Sequence, residues 1–135
     1  MSRWLPAWAM VSWAGLFIHN LADLPAHTIS SSESLLPLLI TVALVVAWFT
    51  PCRGAATAMM LAWALLNFAG AIVTVLPLAA LPFSPEQSVL HYAFHLLYGL
   101  TQLPLIIAAL LWLRHRRQGR VVRNPGRPVP PRGHG

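Results

Sequence analysis

Residues Ser84–Arg117, SPEQSVLHYAFHLLYGLTQLPLIIAALLWLRHRR, decide the architecture. Ser84 reads as an N-cap, Pro85 as the first helical residue and Gln87 as the N3 partner, a strong helix-start signal. From Ser88 to Leu113 the only ionisable groups besides tyrosine are His91 and His95. A bilayer span needs about 20 mostly apolar residues. This stretch supplies them, with Glu86 at one end and Arg114, Arg116 and Arg117 at the other. Arginine-bearing ends stay cytoplasmic, so the segment is read as a transmembrane helix over 85–113 that runs inward, kinked at Pro104.

Working outward, the same polarity recurs. Three further apolar segments precede this one, at about 4–24, 33–50 and 55–76. Arg3 precedes the first, Arg53 lies between the second and third, and the other seven of the nine basic residues follow the fourth. Asp23 and Glu33 lie between the first and second, and Glu86 between the third and fourth. The fold class expected is therefore all-α: a polytopic, antiparallel bundle of four transmembrane helices over residues 1–113, with both termini cytoplasmic. Residues 114–135 form a basic, Pro- and Gly-rich tail expected to be disordered.

The 135 residues are 57% hydrophobic and 9% charged, against about 25% charged in soluble domains. Four spans use most of the chain, which leaves no length for a separate soluble domain. The net charge of +6 is concentrated in the tail and follows the topology rule. It lacks the aromatic interleaving of a nucleic-acid surface, so anionic lipid headgroups are the expected partner and nucleic acid is not. Cys52 is the single cysteine, so there is no internal disulfide and no CxxC motif. The absence of Lys, with abundant Ala, Leu, Arg and Pro, points to a bacterial plasma (inner) membrane protein from a GC-rich genome.

The first segment has the Arg3-then-apolar order of a signal peptide, but its apolar run is long and Asp23-Leu24-Pro25 is a poor cleavage site. A retained helix is expected. Ser31 or Ser32 is positioned to cap the second segment, and Pro51 ends it. The third is rich in small residues, from Ala55 to Gly70, which let helices approach closely in lipid. Trp48, Trp63 and Trp112 read as interfacial belt residues. Met59 and Met60 read as packing residues, and His27, His115 and His134 as solvated.

Ionisable residues inside spans are rare, costly and functional by default. Here they share one depth. His19 and Asp23 are one turn apart on the first helix, His91 and His95 one turn apart on the fourth, and Asn67 lies in the outer half of the third. At 1.5 Å per residue they sit roughly 5–15 Å below the outer edge. Each helix carries a polar stripe: Ser12, Gly15, His19 and Asp23; Asn67, Gly70 and Thr74; His91, His95, Tyr98 and Gln102. Turned toward one another, these stripes make an outward-facing pocket.

Four readings of the pocket follow. His19, Asp23, His91 and His95 form a ligand set suited to Zn, Fe or Cu, with Asn67, Tyr98, Gln102 and Thr74 as pocket or supporting residues. Alternatively, the cluster is a hydrogen-bonded core that sets helix register. As a third reading it titrates, in a proton-linked small transporter or a pH-sensitive regulator. As a fourth it serves a redox accessory subunit that binds haem or quinone, although the outer loops hold no Arg or Lys for haem propionates.

The helix count resembles that of the small multidrug-resistance transporters, but no Glu lies within the first segment. A single His-x-x-x-His does not supply the several His boxes of membrane desaturases. No Gly-x-Ser-x-Gly, His-Glu-x-x-His or phosphate-binding loop is present. The expected role is binding, accessory or assembly rather than catalysis. A second copy or another membrane protein is expected to cover part of the helix surface.

Overall fold

A computed structural model describes residues 2–24, 26–76 and 88–122. After a 3₁₀ turn at Ser2–Trp4 come four helices: α1 Leu5–Asp23, α2 Ser32–Trp48, α3 Arg53–Val73 and α4 Val89–Val122. No strand occurs among the described residues. The Ser84–Gln87 start signal and residues 123–135 lie outside the described residues.

Contacts along the helices set their directions. Asp23 near the end of α1 meets His91 near the start of α4, while Ser12 meets Gln102 about three turns deeper. On α3, Ala71 meets His95, and Gly54 meets Arg116 at the other end. Asn20 of α1 meets Ser34 of α2. Neighbours are thus antiparallel, and α4 packs against both α1 and α3.

The core is built from Leu5, Ala9, Leu44, Met60, Ala64, Leu105, Ile106 and Ala109. Alanines on three of the four helices allow close approach. At Gly15 of α1 any Cβ would overlap the Thr101 side chain of α4, so the two helices approach closely there. Met60 is buried in this core and Met59 is exposed.

Polar and apolar groups are distributed inside out. Ser12, Asn20, Ser34, Thr41, Thr57, Asn67, His91, His95 and Gln102 are buried. Leu36, Val46, Phe49, Met59, Leu66, Leu90 and Leu96 are each at least 60% exposed. The hydroxyls of buried Thr57 and half-buried Thr74 donate to the carbonyls of Arg53 and Gly70 one turn back, which satisfies them within their own helix.

Two helices, α3 and α4, are long and apolar enough to cross a membrane. α1 and α2, with 19 and 17 residues, are shorter. α4 departs from the expected end at 113 by continuing through Val122. Arg and Gln are good helix formers, and cations are favoured near a helix C-terminus, so the first part of the basic tail extends the helix. Ser31 takes the N-cap place of α2 by backbone geometry but makes no side-chain cap; its hydroxyl accepts from the Thr28 N–H. Trp48, Trp63 and Trp112 are partly buried against the core.

Candidate metal centre

Asp23 ends α1 and lies against α4. Its Oδ2 is 2.9 Å from His91 Nδ1, 3.1 Å from His19 Nε2 and 3.8 Å from His95 Nε2. His19 Nε2 and His95 Nε2 are 2.9 Å apart, with the rings edge-on. One turn separates the members of each pair, so two helices suffice to converge four titratable groups.

The far nitrogen of each key imidazole is held by a defined partner. His95 Nδ1 is 2.9 Å from the Ala71 carbonyl, which can only accept, so Nδ1 carries the proton. That carbonyl is available because it falls in the last turn of α3, where helix carbonyls have no partner within the helix. His19 Nδ1 is 3.2 Å from Asn20 Oδ1. The Asn20 amide is oriented by its Nδ2, which donates to the Glu33 carbonyl at 3.0 Å and to Ser34 Oγ at 3.2 Å. Its oxygen therefore faces His19, and His19 Nδ1 is also a donor.

With both Nδ1 atoms protonated, neutral His19 and His95 each present a bare Nε2 lone pair. Asp23 Oδ2 faces the same point as a third acceptor. These three ligand atoms all lie within 4.8 Å of one another. In that state the two Nε2 lone pairs face each other at 2.9 Å with no proton between them, and acceptors so placed repel. The geometry is satisfied by a cation at their centre or by one added proton.

His91, expected as a fourth ligand, meets the cluster through Asp23. Its Nδ1 lies 2.9 Å from Asp23 Oδ2, and its buried Nε2 has no hydrogen-bond partner among the described residues. A neutral ring with Nδ1–H on the carboxylate would orient it, as partners of metal-binding carboxylates do.

The other expected pocket residues are placed deeper or elsewhere. Tyr98 donates to Asn67 Oδ1 at 2.6 Å, and Asn67 Nδ2 donates to the Trp63 carbonyl at 2.8 Å. This pair closes on itself and gives no hydrogen bond to the histidines, although the Tyr98 ring lies 5.4 Å from that of His19. Gln102 bonds Ser12 and the Tyr98 carbonyl one to two turns below the cluster. Thr74 bonds its own helix. Below Gln102 the helices are closed by Leu5, Leu105, Ala109 and Met60. The polar column is plugged at that end by apolar side chains.

Asn20, Ser34 and the Ala71 carbonyl are the participants that pattern reading missed. His27, expected to be solvated, is half-buried and lies 2.7 Å from Ser34 Oγ. Together with Trp13 Nε1, which donates to the Ser34 carbonyl at 3.1 Å, these contacts dock the start of α2 on the end of α1. His115 is exposed on α4, and His134 lies outside the described residues.

The haem reading pairs His19 with His91 or His95; the Nε2 atoms of His19 and His95 are 2.9 Å apart. An apolar groove of about 410 Å³ between α3 and α4 reaches His95, whose Nδ1–H is taken by the Ala71 carbonyl. A quinone there would find no hydrogen-bond donor from His95. No known protein family, curated protein or solved structure matches the chain.

Proposed function

We propose that the chain is a small multi-pass membrane protein with a binding or accessory role, whose His19, Asp23 and His95 hold one divalent transition metal. The observation that carries this reading is the pair of imidazoles pinned as Nδ1–H donors, with both Nε2 lone pairs and a carboxylate converging. Two neutral imidazoles and one carboxylate suit zinc, and such a set leaves a fourth position for water or a ligand. Metal–nitrogen bonds of about 2.0–2.1 Å in tetrahedral geometry separate the nitrogens by about 3.3 Å. The site would open by a few tenths of an ångström on binding.

The test is zinc content and calorimetric titration of tag-free protein in detergent. About one zinc per chain is expected in the wild type and none in His95→Ala or His19→Ala that remain helical by circular dichroism. A wild type that takes up no zinc, cobalt or copper overturns the reading.

A second reading rests on the 2.9 Å separation itself, which suits a proton shared between His19 and His95. The pair would then be an imidazolium balanced by Asp23, the centre of a pH-responsive regulator. The plug below Gln102 argues against a proton path across the bundle, and so against transport by one copy.

The bilayer setting is part of the proposal. All four helices are read as spans, because their exposed faces are apolar and their polar groups are buried. α1 and α2 lie in the lower part of the usual 17–25 residue range. α4 is about 51 Å long, so its arginine-bearing end projects past a core of about 30 Å. The arginines put that end and both termini in the cytoplasm of a bacterial cell, with the cluster facing outward. A reporter fused after Gly135 should be active only when it needs the cytoplasm; activity outside would reverse the orientation. Anionic lipids and a second copy or another membrane protein are the partners this reading implies.

A further inference from the structure

The Arg116 end of the bundle holds a second charge imbalance. Arg53, Arg114, Arg116 and Arg117 gather where α3 begins and the apolar part of α4 ends. Among the described residues no arginine forms an ion pair, since every ion pair is between Asp23 and a histidine. The nearest acids in sequence, Glu33 and Glu86, belong to the opposite set of helix ends. Any counter-charge must come from outside the described protein.

Arg116 is held in place. Its guanidinium carbon lies 5.3 Å from the centre of the Trp112 ring, within the range of a cation–π contact. On its other side the guanidinium lies against Gly54, where a Cβ of any other residue would overlap it. Glycine at 54 thus gives the arginine its seat between the two helices. Beside it is a cavity of about 330 Å³ lined by Gly54, Ala55, Leu113, Arg116 and Arg117. Two guanidiniums, which match phosphate oxygens in a planar fork, face an apolar wall at the level where the apolar span stops.

We propose that this cavity is a specific site for the phosphate of an anionic phospholipid, seated between α3 and α4. A lipid rather than free phosphate is the occupant, because the wall beside the arginines is Leu113 and Ala55 and continues into the exposed apolar faces of both helices. An acyl chain can follow those faces while the phosphate stays with the arginines. The site rests on the membrane reading and is independent of the metal reading.

Native mass spectrometry of the full chain, released from micelles doped with phosphatidylglycerol or phosphatidylcholine, tests this. The wild type should retain phosphatidylglycerol preferentially. Arg116→Gln with Arg117→Gln should weaken that retention about thirtyfold, the effect of two basic residues at a membrane surface. Arg123→Gln with Arg127→Gln, which removes the same charge further along the tail, should change it little. Gly54→Ala keeps every charge but displaces Arg116, and it should weaken retention as well. Equal losses in both double variants would mean diffuse attraction to the tail and would overturn the site. Competition by inorganic phosphate at equal concentration would overturn the lipid assignment, as would equal retention of the two lipids. Resistance to carbonate extraction, measured in parallel, separates these failures from a failure of the membrane reading.

Discussion

At the Asp23 end of the bundle, acceptors converge with too few protons among them; at the Arg116 end, cations gather with no carboxylate near them. The first cluster is half-buried to buried between helices and the second is mostly exposed. That difference decides what each end can bind. A buried set of lone pairs at fixed positions selects a small cation by geometry. An exposed set of guanidiniums selects by charge and shape at the lipid surface, where side chains keep their freedom. Among the described residues, Asp23 and Arg116 lie at opposite ends of the bundle.

The largest expected effect that would sharpen this contrast is at Asp23. Asp23→Asn removes the only formal charge of the cluster and should reduce zinc affinity by at least about a hundredfold, read by competition with a chelating dye. The same variant should leave phosphatidylglycerol retention unchanged. Asn20→Ala comes next, because it releases the His19 ring without touching a ligand. A loss of about ten- to a hundredfold in zinc affinity is expected. No loss would mean that His19 is oriented by packing alone.

Between the two ends, the expected effects are on stability. Gly15→Ala should force α1 from α4 at Thr101 and cost about 1–3 kcal/mol, measured as a lower midpoint of thermal unfolding in detergent. Gln102→Leu removes the link to Ser12 and should cost about 1 kcal/mol while zinc binding persists. A loss of zinc in Gln102→Leu would mean that the column acts as one unit. The smallest effect is expected at Trp48, whose buried Nε1 has no hydrogen-bond partner. Trp48→Phe removes that orphan donor and should leave the unfolding midpoint within about 1 kcal/mol of the wild type.

The helices were legible because apolar runs, Pro51 and the charged ends mark them. The shared face of His91, His95, Tyr98 and Gln102 was legible because their spacing repeats the helix period. What stayed hidden has physical causes. Asn20 follows His19 directly and so points about 100° away from the stripe, toward α2. Its burial within an apolar run was the one available signal. The Ala71 carbonyl is a backbone acceptor freed by the end of α3, and no side chain announces it. The division of labour between His91 and the other histidines depends on which nitrogen meets Asp23, a matter of fractions of an ångström that spacing does not encode. The helix beyond Arg114 was hidden by its charge, because an arginine run reads as a tail even where it continues a helix.

The central claim is that two imidazole Nε2 atoms and one carboxylate oxygen converge on a cation. X-ray absorption at the zinc edge, on tag-free protein loaded with one equivalent of zinc, measures that directly. The expected result is a first shell of nitrogen and oxygen at about 2.0–2.1 Å with the outer-shell signature of two imidazoles, reduced to one in His95→Ala. A shell of water oxygens alone, or an imidazole count unchanged in His95→Ala, would contradict it.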